Sequence, residues 1–259
     1  MNIRFAFSFS AILGLCALLS GTSGAATIYL NSPNLIGTPT TAIASAKVRA
    51  SRTNWDMSLS HGGGTSAGTF IQADLNTSFN NPGQTYSFAL ENRPGQGLIF
   101  RAVQGTNTPV TLAWGTFSPS VTGSVVSTIA GAPPPAAFNL LTLAAQANQS
   151  NATTSWSNLV FNSPTLDLGG GTFTSGTATA ASGASQQSLI GDANIAAHSW
   201  TLSGTITLLR PGNSGNDENV RFVVTLSTAP FLSPAPEPDA ALLALATAGV
   251  FVLRRRRNQ

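Results

Sequence analysis

Charge is scarce in this chain. Asp, Glu, Lys and Arg make up 8% of its 259 residues, against roughly 25% in an ordinary soluble domain. Cysteine occurs once, as Cys16, and histidine twice, as His61 and His198. The lone cysteine excludes a disulfide framework and a Cys-based metal centre. Two distant histidines lack the spacing of a zinc site. Apolar residues are not scarce: they make up 42%. Disordered chains show the opposite balance, with few apolar residues and much net charge. A packed core is therefore expected.

The basic balance, a pI near 9.8, suggests a nucleic-acid binder until the charges are located. Of the 12 basic residues, Arg4 and Arg254, Arg255, Arg256 and Arg257 lie at the two ends, and so do Glu237 and Asp239 of the nine acidic ones. The body keeps seven of each sign and is neutral. Nucleic-acid binding needs clustered cations that displace counterions, so no nucleic-acid partner is expected. The arginines at the ends read as topology signals.

Residues 1–26 have the order of a secretory leader: Arg4, an apolar run from Phe5 to Leu19, then Gly21-Thr22-Ser23-Gly24-Ala25-Ala26. Small residues at that point suit a cleavage site. Cleavage is expected after Ala26, with Ala25 as the alternative. A retained membrane helix fits less well, because the apolar run is short. Lipidation at Cys16 is disfavoured, since Leu15 precedes it where a small residue is needed, and Cys16 reads as apolar filler.

The other end reads PEPDAALLALATAGVFVLRRRRNQ. Pro236 and Pro238 are incompatible with a helix interior. Ala240 to Leu253 then forms an apolar helix of about 14 residues, roughly 21 Å at 1.5 Å per residue. That is short of a hydrocarbon core of ~30 Å, so spanning requires local thinning or snorkelling flanks. Arginines directly after it favour a cytoplasmic side, which places the body outside the inner membrane. The leader predicts the same orientation.

Pro236-Glu237-Pro238, a short apolar helix and an arginine cluster, in that order, resemble the PEP-CTERM sorting signal. The resemblance covers the 24 residues from Pro236 to Gln259 and leaves the body unassigned. It implies a Gram-negative host with an exosortase, a membrane-embedded sorting peptidase that recognises the motif and removes the helix. It further implies transient inner-membrane anchoring through 240–253 with the body in the periplasm, then a cell-surface or extracellular location and association with extracellular polysaccharide. The alternative for the same segment is a standing tail anchor.

The body, residues 27–234, carries period-two alternation, the mark of half-buried strands. The runs are Trp55 to Ser60, Tyr86 to Leu90, Leu98 to Ala102, Val110 to Trp114, Trp200 to Leu208 and Val220 to Leu226. Trp156, Asn158 and Val160 fit the pattern less cleanly. Turn signals such as Gly62-Gly63-Gly64, Asn81-Pro82-Gly83, Arg93-Pro94-Gly95 and Pro211-Gly212 separate the runs. The expectation is a mainly β domain, an antiparallel sandwich or jelly roll. The last two runs are expected to pair as a hairpin. Pro133-Pro134-Pro135 and AAFNLLTLAAQA after it read as a short helix or irregular connection. Gly169 to Gln187 reads as a long loop or a weak strand pair. Whether the body is one sandwich or two half-domains is left open.

Three constellations invite a chemical reading. HGGGTSAG, His61 to Gly68, holds an HGGG string and a G-x-S-x-G match around Ser66. In α/β-hydrolases these lie on separate elements, the second on a strand-to-helix turn; here they share Gly64 and lack that context. A Ser66–His198 pair remains the minor alternative, a serine hydrolase, and a glycine-rich loop is the main reading. NSGNDEN, Asn213 to Asn219, offers Asp217 and Glu218 for calcium but lacks an EF-hand pattern, and reads as a solvated turn. Trp55, Trp114, Trp156 and Trp200 lie in the alternating runs or beside them and read as core. A sugar-stacking platform would need exposed rings.

The expectation is a secreted, non-catalytic surface or matrix protein with no cofactor, no metal and no catalytic residues. The second reading is a carbohydrate-binding module, with or without calcium.

Overall fold

The computed structural model describes residues 26–40, 42–50, 54–62, 70–78, 84–116, 124–129, 137–148, 150–210 and 220–232. Nearly all of the leader, Gly63 to Gly68 of HGGGTSAG with Ser66, the Pro133-Pro134-Pro135 run, the turns at 81–83 and 211–212, the loop with Asp217 and Glu218, and the tail with Pro236-Glu237-Pro238 and the arginines lie outside the described residues.

Within them the chain is mainly β. The strands are β1 (Thr27–Leu30), β2 (Ala44–Ala50), β3 (Asn54–His61), β4 (Phe70–Ser78), β5 (Gln84–Arg93), β6 (Gly97–Val103), β7 (Val110–Gly115), β8 (Ser124–Ile129), β9 (Leu140–Ala147), β10 (Thr153–Asn162), β11 (Asp167–Gly170), β12 (Gly176–Thr179), β13 (Ala184–Gly191), β14 (Trp200–Leu209) and β15 (Val220–Ser227). The described helical elements are two 3₁₀ turns, Pro33–Leu35 and Ile195–Ala197. No helix among the described residues is long and apolar enough to cross a membrane.

Two sheets form a sandwich-like pair. One runs β11-β1-β13-β9-β15-β2-β3-β4 and the other β12-β10-β14-β5-β6-β7-β8. Pairing is antiparallel except between β1 and β11 and between β7 and β8. Strands β2 to β4 and β5 to β8 fill stretches of one sheet in sequence. From β8 onward each successive strand lies in the opposite sheet.

Side chains of both sheets share one core cluster. Phe222 on β15 meets Phe88 on β5 at 5.0 Å and Trp156 on β10 at 6.0 Å between ring centroids. Large and small residues interlock within the first sheet. The inward faces of β2 and β3 pair Ala50 with Trp55, Val48 with Met57 and Ala46 with Leu59. Close packing of this kind needs a small partner beside each large one.

The outward faces carry rows of hydroxyls in this sparsely charged chain. Ser60, Ser45, Thr225, Thr142 and Ser188 form one register row across five strands of the first sheet, with Ser45 and Ser60 hydroxyls 2.7 Å apart. In the second sheet Thr177, Ser155, Thr207 and Thr85 form another row, and Thr85 and Thr207 hydroxyls are 3.0 Å apart. The first row is buried at Ser45, Ser60 and Ser188, whereas the second is half-buried to exposed.

Several expectations are corrected. The last two runs do not pair as a hairpin. β14 lies between β10 and β5, and β15 lies between β9 and β2 in the other sheet. Period two identifies an inward face but not the sheet that owns it. The ten residues between β14 and β15 exceed a tight hairpin loop and suffice to cross the ~10 Å between packed sheets. AAFNLLTLAAQA is not helical: Leu140–Ala147 is the strand β9, with Leu141, Leu143, Ala145 and Ala147 inward. The helix propensity of Leu and Ala is overridden by burial between β13 and β15. Gly169 to Gln187 is no loop either. It contains β12 and parts of β11 and β13, which pair with β10, β1 and β9 rather than with one another.

The uneven run at Trp156 has a physical cause. Asn158 has φ 53 and the register with β14 shifts between Ser157 and Val160. This β-bulge turns Val160 outward, 55% exposed, and returns Phe161 to the core.

Candidate functional site

The bulged strand β10, the start of β14 and the end of β5 are neighbours, and a cleft of about 480 Å³ opens where they end together. Its base is a cross-strand row. Thr201 on β14 is the register partner of Asn162 on β10 and of Glu91 on β5. Side chains two residues apart on a strand share a face. Trp200 and Leu202 are buried in the core, so Thr201 faces outward with its two partners beside it, about 4.7–4.9 Å from strand to strand.

Two segments wall this row. On the β5 side the turn Pro94-Gly95-Gln96 leads into β6, with the Gln96 amide donating to the Arg93 carbonyl at 3.0 Å. The turn is pressed against β7: a Cβ on Gly97 would collide with the Trp114 carbonyl, and a Cβ on Gly115 with that of Gln96. The Thr116 amide donates to the Gln96 carbonyl at 2.9 Å and fixes the turn. On the β10 side Pro164 and Ser199 close the cleft. The Ser163 hydroxyl donates to the Ser199 carbonyl at 2.7 Å, and Thr165 Oγ1 lies 3.0 Å from His198 Nδ1.

The wall is anchored from beneath. Asn92, a buried residue at the end of β5, donates from Nδ2 to the carbonyls of Ala196 at 3.0 Å and His198 at 2.7 Å. Trp200 Nε1 donates to the Ile195 carbonyl at 3.1 Å. These bonds hold the wall in place, and a fixed wall lowers the ordering cost of binding.

Glu91 is the carboxylate of the cleft. Oε1 meets Arg93 Nε at 2.6 Å and Oε2 meets Arg101 Nη1 at 3.3 Å. Its charge is therefore already compensated. Around it the side chains of Gln96, Asn162, Ser199 and Thr201 have no hydrogen-bond partner among the described residues. Pro94 and Pro164 add exposed apolar rings. Acid–base glycoside cleavage uses two facing carboxylates, and one lines this cleft.

The sequence-derived candidates are distributed as follows. The four tryptophans are core residues, each 2% exposed or less, so they supply no stacking platform. His198 follows the 3₁₀ turn Ile195–Ala197 and engages Thr165; Ser66, its supposed partner, lies outside the described residues. His61, at the end of β3, covers Trp114 at 4.9 Å. Among the described residues no group of three His, Cys, Asp or Glu is placed to hold a metal ion.

Sequence reasoning missed the cleft. Its residues come from three separate stretches, 91–96, 162–164 and 199–201. Only the turn signal at Arg93-Pro94-Gly95 and the Trp200 strand were visible; the register that joins them was not. No protein-family model matches the chain, and no curated protein matches it.

Proposed function

We propose that this chain is an exported, non-catalytic surface or extracellular-matrix protein, sorted by an exosortase. Residues 1–26 act as the leader. The apolar helix 240–253 holds the body transiently at the inner membrane, and Pro236-Glu237-Pro238 is the recognition motif at which the helix is removed. Arg254, Arg255, Arg256 and Arg257 set the orientation of that helix.

The observation that carries this reading is the order of parts in the tail's sequence: a helix-incompatible motif, an apolar run too short for a comfortable span, and a cationic stop. The body fits the role of a neutral spacer or matrix domain. The outward face of its second sheet carries exposed hydroxyls at Thr85 and Thr177, which suit contact with hydrated polysaccharide. Alternation of strands between sheets from β8 onward supports a jelly-roll-like body.

The test is the intact mass of the protein from native cells with and without the sorting peptidase. A product ending near residues 236–238, found only when the peptidase is present, is expected. A chain running to Gln259 in both strains would overturn the reading and make the tail a standing anchor.

A further inference from the structure

We propose that the cleft over Asn162, Thr201 and Glu91 binds one pyranose-sized sugar residue, the end of a neutral glycan. This inference rests on the cleft alone and holds whether or not the tail is a sorting signal.

Size comes first. About 480 Å³ lies within the roughly 300–1,000 Å³ typical of small-molecule sites. Chemistry narrows the ligand. Gln96, Asn162, Ser199 and Thr201 each present both donor and acceptor capacity, and none is engaged among the described residues. A ligand that satisfies such groups carries many hydroxyls at close spacing, since each hydroxyl also donates and accepts. The exposed rings of Pro94 and Pro164 offer apolar contact at the rim, as the C–H face of a sugar requires.

Other ligand classes fit less well. A hard cation is held by oxygens that include an ionised carboxylate, and Glu91, the one carboxylate lining the cleft, is already held by Arg93 and Arg101. A nucleotide base needs a stacking surface, and Trp200, the one aromatic residue lining the cleft, is 2% exposed. A peptide adding as a strand needs a free sheet edge. Here β14 is paired on both sides, by β10 and β5.

A path for the rest of the glycan continues from the cleft. Outward along β14 follow Ser203, Thr205 and Thr207. Thr205 is flanked by Ser157 and Ser87, and Thr207 by Ser155 and Thr85. This track is neutral; it is hydroxylic at Thr205 and Thr207 and apolar beside Ser203, whose register partners are Val160, 55% exposed, and Ala89. The terminal sugar therefore sits in the cleft and the following residues lie along β14.

The experiment is a titration of the full-length protein, purified in mild detergent, with a panel of methyl hexopyranosides (gluco, galacto, manno) and their linear trisaccharides. Binding is read by calorimetry and by amide chemical shifts. At least one sugar is expected to bind saturably, with shifts centred on residues 91–96, 162–164 and 199–201, and its trisaccharide more tightly than the monosaccharide. Asn162→Ala combined with Gln96→Ala is expected to weaken binding about tenfold, as loss of two uncharged hydrogen bonds implies. Both side chains are exposed and unpartnered among the described residues, so the melting temperature should not move. Thr201→Val, which keeps the shape and removes one hydroxyl, should weaken binding by a smaller factor. The absence of a saturable response across the panel, or binding that the variants leave unchanged, would overturn the proposal.

Discussion

Trp156 lies against Gly176. The two are register partners on β10 and β12, and a Cβ at 176 would fall on the six-membered ring of the indole. The same indole donates from Nε1 to the Thr174 carbonyl at 2.9 Å and meets Phe222 of the opposite sheet. One side chain thus couples a four-residue edge strand to the core of the sandwich.

Gly176→Ala should therefore destabilise the fold by about 1–3 kcal/mol, the usual cost of inserting a methylene where no room exists. The φ of Gly176 is not in the left-handed region, so the effect is steric rather than conformational. Urea denaturation gives the magnitude. Restoring stability with Trp156→Phe in the Gly176→Ala background would confirm that the clash is with the indole. An unchanged midpoint for Gly176→Ala would show that β12 can shift away freely.

Much of the fold could be read from residue order, and the reasons for the rest are specific. The strands at 54–61, 84–93, 97–103, 110–115, 200–209 and 220–227 announce themselves because large apolar side chains alternate with polar ones. β2 was missed because its inward residues are Ala44, Ala46, Val48 and Ala50, too small to stand out. Their size makes sense only once Trp55, Met57 and Leu59 are seen beside them. β9 was missed because alanine and leucine favour helix locally and only its two neighbouring strands settle the matter. The sheet to which each strand belongs is a long-range property, and hence the error at β14 and β15. The cleft fails to show in sequence for the same reason. Asn162, Thr201 and Glu91 carry no local motif, and only cross-strand register makes them neighbours.

A second test concerns the loops that close the sandwich near β9. Asn139 precedes this strand and uses its amide as a piece of backbone. Nδ2 donates to the carbonyls of Ala229 at 2.8 Å and Gly191 at 3.2 Å, and Oδ1 accepts from the Ala229 amide at 2.9 Å. It thereby ties together the ends of β13 and β15. Asn139→Ala should cost about 2–4 kcal/mol, since three bonds vanish and partly buried backbone groups lose their partners. Hydrogen exchange should show the loss of protection first at the Ala229 amide. Uniform loss across both sheets, with no local effect, would contradict the tie.

The last prediction concerns Asp56, the one buried carboxylate among the described residues of the first sheet. Asp56 is 1% exposed, and Arg49 Nε lies 3.0 Å from its Oδ1. Gln72 Nε2 donates to Oδ2 at 2.7 Å, and Arg49 Nη2 donates to Gln72 Oε1 at 3.0 Å. The three residues come from β3, β2 and β4, so the network staples the outermost strands of that sheet. Removing one partner of a buried pair is costlier than removing both, because the survivor keeps its desolvation penalty without compensation. Arg49→Met should therefore destabilise by about 3–5 kcal/mol. Asp56→Asn in the same background should recover much of that loss, because a neutral amide can still accept from Gln72. Thermal or urea unfolding of the two single variants and the double variant closes the cycle. If Asp56→Asn brought no recovery in the Arg49→Met chain, the guanidinium would be acting through its packing on Phe70, 5.9 Å from that ring's centroid, and not through its charge.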